Sequence, residues 1–441
     1  MYTESLLRKS NRIGIMIQVI IGGMNMQKLR VLLVNMAKKS TLVRSMLRMG
    51  MFCVRRCQYL IFSFGKVNTK RVLFESFVGR KYADSPKAIY EYLLNSEDYK
   101  DYEFVWFFMN PEQQTAIAKN PRTKVVKHGS LEYYKYYATS KYWVTNSRIS
   151  DAILKRKNQV YLQCWHGTPL KKLGFDIKVE SGNAMNSIKD IHYKYQVDSK
   201  KYTYLLSPSA FCTEKFTSAF NLKAVGKENI IIEKGYPRND DLVNYTDEDV
   251  QRVKKALGLP ENKKIILYAP TWRDNQHQSG LGYTYKTEVD FDRLRNELSD
   301  EYVILFRAHY FVANKFDFSK YAGFVYNASL YDDINDLYII SDILITDYSS
   351  VFFDYSILKR PIIYYMYDLE EYQHVLRDFY ISLDDLPGKI VETEDALIDA
   401  LHNVGELTYD EKYKKFNDTY TYLDDGNASK RVVQCVFEKS K

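Results

Sequence analysis

From about residue 70 the chain alternates short apolar runs with longer mixed stretches. Val72-Leu73-Phe74 leads into Asp84-Ser85-Pro86, where proline falls in the first turn of an expected helix. Phe104 to Phe108, Val125-Val126, Tyr142 to Val144 and Val160 to Leu162 follow as strand signals. A second series opens with Ile265 to Tyr268 and continues through Val303 to Phe306, Ile343 to Ile345 and Ile362 to Tyr364. Strands alternating with helices predict parallel sheets of the doubly wound α/β kind. Two such series, dividing near residues 235–245, predict two similar α/β domains facing a cleft, spanning 69–240 and 241–441. In such sheets ligands bind beyond the carboxyl ends of the strands, so polar residues there are the candidates.

Residues 1–68 are patterned differently. The apolar run Ile13–Gly23 is 11 residues long and holds Gln18. A membrane-spanning helix needs about 20 residues, and no small-residue cleavage site follows, so neither a span nor a signal peptide is expected. Leu29, Leu32, Leu33, Met36, Val43 and Leu47 then recur at helical spacing among Lys28, Arg30, Lys38, Lys39, Arg44 and Arg48. That pattern predicts a basic amphipathic helix on an anionic membrane surface. A helix docked on the protein's own body is the alternative.

Charge sharpens this division. Residues 1–72 carry 14 Lys and Arg against Glu4 alone, leaving 49 basic and 54 acidic side chains in the remainder. The body is mildly acidic, which argues against a nucleic-acid-binding core. With 46% hydrophobic and 27% charged residues in 441, the chain is an ordinary globular protein of two or three domains. Cys53, Cys57, Cys164, Cys212 and Cys435 form neither a disulfide framework nor a zinc module; Cys53 and Cys57 are expected on one helix face. This composition suits a reduced, cytosolic setting.

Three strings could carry chemistry. In Cys164-Trp165-His166-Gly167-Thr168-Pro169-Leu170-Lys171 a strand runs into a histidine that could act as a general base near neutral pH. Phe306-Arg307-Ala308-His309 closes a strand of the second series in the same way. Two strand-end histidines and Arg307 facing one cleft suit transfer of a phosphoryl group. In Ile345-Thr346-Asp347-Tyr348-Ser349-Ser350 a strand meets a helix start whose N–H groups and hydroxyls could cradle phosphate. Plain N-capping by Asp347 or Ser349 is the competing account. Gly235 to Asp240 and Tyr268 to Arg273 are lesser signals, readable as turns. Asp332-Asp333 and Asp384-Asp385 read as loop or cap acids. No GxGxxG, Walker A, HExxH or GxSxG string is present. No cofactor is expected, and no carboxylate cluster calls for a metal.

Taken in order, these strings resemble the CDP-glycerol glycerophosphotransferase family of teichoic-acid synthesis. The matching stretches are His166 to Lys171, Gly235 to Asp240, Ala269 to Arg273, Arg307 to His309, Thr346 to Ser350 with Phe353-Asp354, and Arg377 to Tyr380 followed by Pro387-Gly388. The chain departs from the family in having Tyr310 where a proline often follows the second histidine. The resemblance implies a GT-B architecture, two Rossmann-like domains with the nucleotide held mainly by the second. It implies that His166 and His309 are the catalytic pair.

An alditol hydroxyl of the acceptor would attack the phosphorus bearing glycerol in CDP-glycerol and displace CMP. His166 would act as base, and Arg307, His309 and Arg273 would stabilise the pyrophosphate. Ser349 and Ser350 would hold the donor phosphates, with Gly167, Thr168, Lys171, Arg238, Thr271, Thr346, Asp347, Asp354 and Arg377 as further substrate-binding residues. The implied acceptor is a polyprenyl-diphosphate-linked glycan or a poly(alditol phosphate), met by a peripheral enzyme on the cytoplasmic face of the membrane. A GT-B glycosyltransferase using a nucleotide sugar and a CDP-ribitol transferase are the alternatives. Self-association is left open.

Overall fold

The computed structural model describes residues 40–178, 187–271, 277–278, 282–283, 288–308, 317–370 and 379–438. They form two parallel sheets with apolar cores on both faces. The first sheet has seven strands: β1 Asn68–Glu75, β2 Glu103–Phe108, β3 Thr123–Lys127, β4 Ser140–Thr145, β5 Val160–Gln163, β6 Tyr204–Ser207 and β7 Ile231–Glu233. Their order is β3-β2-β1-β4-β5-β6-β7. Six strands form the second sheet, in the order Val325–Asn327, Tyr302–Phe306, Lys264–Ala269, Ile343–Thr346, Ile362–Tyr365 and Lys389–Val391. In each sheet the strand order reverses beside a central strand, β1 or Lys264–Ala269, which opens a crevice at the carboxyl edge.

The strands read as unbroken apolar runs because each sheet is covered twice. Val72 and Phe74 enter one core with Phe104, Trp106 and Phe108, while Leu73 enters the opposite one with Val105 and Phe107. The strands not anticipated from the sequence, β6, β7, Val325–Asn327 and Lys389–Val391, have three or four residues each.

The chain crosses between the sheets twice. It leaves the first after β7 through Gly235 to Asp240, and it returns after the helix Glu411–Tyr420. Val432, Val433, Val436 and Phe437 then complete the core of the first sheet beside Ile89, Tyr99 and Tyr142. A division at residue 240 therefore describes the outgoing chain, whereas residues 428–438 pack with the first sheet. Asp240 fixes the return: its carboxylate accepts from the backbone N–H groups of Ala428 and Ser429, each at 2.8 Å, at the start of the last helix.

Residues 41–63 form one helix holding both Cys53 and Cys57. Tyr59 is buried with Tyr133 and Tyr134, its hydroxyl bonds to the Leu154 carbonyl, and the Arg56 guanidinium donates to the Asp151 carbonyl at 2.8 Å. The helix is thus docked on the body along one face. The other face keeps Leu42, Met46, Met49, Cys53, Cys57, Leu60 and Phe64 exposed at spacings of three and four, Phe64 at 90%. The expected amphipathic positions from Leu29 to Met36 lie outside the described residues. Among the described residues no helix is long and apolar enough to cross a membrane.

Candidate active site

The carboxyl edges of the two sheets face each other, and His166 stands between them in the turn after β5. Trp165 precedes it with a left-handed backbone, φ 53°, a conformation that costs a bulky residue about 1–3 kcal/mol. Packing holds that turn in place: the indole is buried and stacks on the imidazole at 4.3 Å. The ring's Nδ1 lies 2.8 Å from the Asn146 carbonyl oxygen. A carbonyl only accepts, so Nδ1 carries the proton and Nε2 is left with its lone pair. Although the side chain is open to the cleft, desolvation by the surrounding protein lowers its pKa. The Asn146 bond and Asp84 oppose that shift, and Arg238 and Arg148 reinforce it. His166 is therefore a neutral base at neutral pH.

Asn146 is the residue that sequence reasoning missed here. It follows β4 directly, is buried, and its side-chain oxygen accepts from the Phe77 N–H at 2.8 Å while its carbonyl holds the histidine. The polar triplet Thr145-Asn146-Ser147 closing an apolar strand was the available signal.

Across the cleft the strand ends of the second sheet are tied together. The Asp347 carboxylate accepts from the Thr271 N–H at 2.8 Å and from its hydroxyl, and the Thr346 hydroxyl donates to the Ala269 carbonyl at 2.8 Å. Asp347 is thus engaged across the sheet. Ser350 is the N-cap of the helix Val351–Tyr355, with no side-chain capping bond, so the competing N-cap account does not describe these side chains. Ser349 and Ser350 are half-buried. The helix is five residues long and continues as one 3-10 turn, so its N–H groups and hydroxyls matter more here than a long-helix dipole. Gly167 meets this turn directly: a Cβ there would lie 3.2 Å from the Ser350 Oγ. The His-Gly and Ser-Ser strings, 183 residues apart, are thereby adjacent.

Arg307 follows the strand Tyr302–Phe306 and donates to the Ala328 and Tyr331 carbonyls at 3.1 and 3.0 Å. Among the described residues it has no carboxylate within ion-pair reach. Lys81, from the turn after β1, donates to the same Tyr331 carbonyl. Burial and then Arg307 push its pKa down to about 8, with Asp332 and Asp333 opposing. Two cations from opposite sheets thus converge on one acceptor; Lys81 also stands 3.9 Å from the Asp332 carboxylate, which leaves Arg307 as the cation whose charge is open to an anion. Lys81 carried no sequence motif.

Arg238 and Asp354 are used on each other. The Arg238 guanidinium reaches Asp354 at 2.9 Å and Asp84 at 3.3 Å, and all three are buried. Asn239 donates to Asp354 and to Asp424, both at 3.1 Å, and Asp424 accepts from the Tyr236 N–H at 2.8 Å. Burial pushes Asp424 up to about 7 against those bonds. Arg238 and Asp354, expected among the substrate-binding residues, sit in a buried inter-sheet knot in which one guanidinium faces Asp84 and Asp354, and Asn239 links Asp354 to Asp424.

Of the remaining candidates, Thr168 is buried and accepts from the Cys212 thiol at 3.6 Å. Lys171 pairs antiparallel with Phe379, and the Tyr380 N–H donates to the Leu170 carbonyl at 2.8 Å, which joins the first motif to the last. Arg273, His309 and Arg377 lie outside the described residues. Among the described residues no group of three or more His, Cys, Asp and Glu is placed to hold a metal ion.

This geometry can be set beside known proteins. The family model for CDP-Glycerol:Poly(glycerophosphate) glycerophosphotransferase matches residues 57–438. The chain belongs to this glycerophosphotransferase family. A teichoic acid poly(glycerol phosphate) polymerase of Staphylococcus epidermidis is 41% identical over 85% of this chain and 51% of its own length. A teichoic acid glycerol-phosphate transferase of Staphylococcus aureus is 39% identical over 84% of this chain and 94% of its own. The chain thus spans about half of one glycerophosphotransferase relative and nearly all of another. Among solved structures, a variant of the wall teichoic acid polymerase TagF soaked with CDPG superposes with a TM-score of 0.79, at 38% identity over 90% of this chain and 97% of that one.

Proposed function

We propose that this protein transfers glycerol phosphate from CDP-glycerol to a hydroxyl of a lipid-linked acceptor, releasing CMP, in the synthesis of teichoic acid or a related surface polymer. The observation that carries the reading is the neutral His166 at the mouth between two sheets, its Nδ1 proton held by Asn146 and its Nε2 lone pair left to accept a proton. Family membership supplies the donor. The acceptor hydroxyl attacks the phosphorus, an O–P bond forms, and the bond to the CMP oxygen breaks. Nε2 takes the hydroxyl proton, and the imidazolium then loses it to solvent. Such a transfer needs positioning and neutralisation of charge on the phosphoryl oxygens more than covalent help. Arg307 supplies positive charge, the Ser349-Ser350 turn supplies N–H and hydroxyl donors, and Gly167 admits close approach.

The two-sheet arrangement is read as GT-B, with the nucleotide on the second sheet and the acceptor approaching from the first. Roles for His309, Arg273 and Arg377 in binding and catalysis follow from the family motif they match. The exposed stripe of the Thr41–Ser63 helix, beside Arg48 and Arg55, supports peripheral attachment to an anionic membrane. Large exposed apolar patches are uncommon on free-standing proteins.

Nucleotide release tests the reading. Purified protein given CDP-glycerol and a lipid-linked acceptor analogue should release CMP only when both are present. Release of UDP from UDP-sugars, with none of CMP, would replace the reading by the glycosyltransferase one.

A further inference from the structure

Beneath the Thr41–Ser63 helix, away from the cleft, lies a cavity of about 460 Å³, within the ~300–1,000 Å³ typical of ligand sites. Six cations line it, Arg56, Lys155, Lys157, Lys200, Lys201 and Lys227, against one lining acid, Asp151. Their hydrogen bonds leave the charge standing. Lys155 donates to the Gln159 carbonyl at 3.0 Å, Lys227 to the Tyr202 carbonyl, and Lys201 to the Ser150 carbonyl at 3.0 Å. Among the described residues only Lys201 of the six has a close carboxylate, Asp198 at 3.7 Å. Burial and then Lys155 push Lys227 down to about 8, and burial lowers Lys155 and Lys201 as well. A fold that gathers like charges in a partly desolvated hollow is stabilised by an anion placed among them.

The apolar part of the lining identifies which anion. Phe52, Leu154 and Tyr193 line the same hollow and are exposed, as are Lys157 and Lys200. Phe52 and Arg56 belong to the same helix whose adjacent face carries the unpartnered stripe from Leu42 to Phe64. Cations mixed with exposed aromatic and aliphatic side chains, beside an apolar stripe, match the headgroup and acyl chemistry of a bilayer surface.

We propose that this cavity receives the phosphodiester headgroup of an anionic glycerophospholipid, with the acyl chains lying along the stripe from Leu42 to Phe64. The proposal rests on the peripheral-membrane reading above and makes it selective, since the protein would recognise a headgroup and not only a charged surface.

The test is co-sedimentation of the full chain with phosphatidylcholine vesicles, with and without phosphatidylglycerol. Combining Lys157→Gln, Lys200→Gln and Lys227→Gln should weaken binding to the anionic vesicles roughly a hundredfold, at about fivefold per lysine. A charge-matched control with Lys412→Gln, Lys415→Gln and Lys430→Gln should change it far less. Soluble glycerophosphoglycerol should compete for the wild-type protein, and transfer to a water-soluble acceptor should be unchanged in the cavity variant. Equal loss in both triple variants would overturn the headgroup site in favour of diffuse charge. Loss of affinity for free poly(glycerol phosphate), with vesicle binding intact, would overturn it in favour of a product site. A separate stripe variant, Met46→Asp with Met49→Asp, isolates the underlying reading. If it and the cavity variant both bind like wild type, membrane attachment through this helix fails and the proposal with it.

Discussion

Two guanidinium groups stand at the junction of the sheets and are treated in opposite ways. Arg238 is buried between Asp84 and Asp354, and its neighbours Asn239 and Asp424 extend the same network. Arg307 is half-buried, and its bonds go to two backbone carbonyls. Carbonyl oxygens orient a guanidinium without cancelling its charge; carboxylates do both. In the first region the guanidinium is taken up by carboxylates, whereas in the second it keeps its charge for a ligand. Residue type alone does not mark a binding residue: the chemistry depends on what else the fold has brought to it.

The contrast can be broken experimentally. At the open mouth, His166→Ala should lower turnover about 100- to 10,000-fold with the unfolding midpoint in urea almost unchanged; near-wild-type turnover would remove the base role. Because the active form is the neutral ring and its pKa is lowered, the acid limb of kcat/KM should fall below the ordinary histidine value of about 6.5 and vanish in that variant. At the closed knot, Arg238→Met leaves two buried carboxylates unopposed and should cost about 3–5 kcal/mol of stability. Arg307→Gln should cost clearly less stability while raising the KM for the donor. Matching losses of stability in the two arginine variants would erase the distinction drawn here.

Smaller effects sharpen it. Gly167→Ala places a Cβ 3.2 Å from the Ser350 Oγ and should destabilise by about 1 kcal/mol or more. Adding Ser350→Gly should recover part of that, whereas additive losses would mean that the contact is not felt. Asp424, whose pKa is pushed up to about 7, binds its proton more tightly folded than unfolded. Its contribution is therefore full below about pH 4 and is lost as pH rises through 7. Asp424→Asn should gain on the wild type in urea unfolding between those limits, and parallel pH profiles would count against the assignment.

Much of this molecule is legible in its sequence. The unbroken runs at 104–108, 265–268 and 303–306 announce strands because sheets covered on both faces need apolar side chains in both directions. Short strands such as Val325–Asn327 do not, having too few residues for a pattern. His166 is visible as a histidine closing a strand. Its partner Asn146 is harder to find, because a backbone carbonyl does the orienting and any residue has one. Arg238 and Asp354 belong to recognisable strings, but their pairing across 116 positions depends on the packing of the two sheets. The return of residues 428–438 to the first sheet also has no local mark, since an apolar helix face does not name the surface it will cover.

That return limits how the two halves can move. The outgoing and incoming segments touch: Asp424 bonds the Tyr236 N–H at 2.8 Å, and Gly235, at φ 82°, leaves no room for a side chain against the Leu423 carbonyl. Two chain passages pinned side by side make the junction a double tether. It is not the sole one: the Tyr380 N–H bonds the Leu170 carbonyl at 2.8 Å, and Lys87 pairs with Asp333 at 2.7 Å. Any shift of one sheet against the other must strain both passages and these bonds together, so the spacing of the walls beside His166 is set from several sides at once.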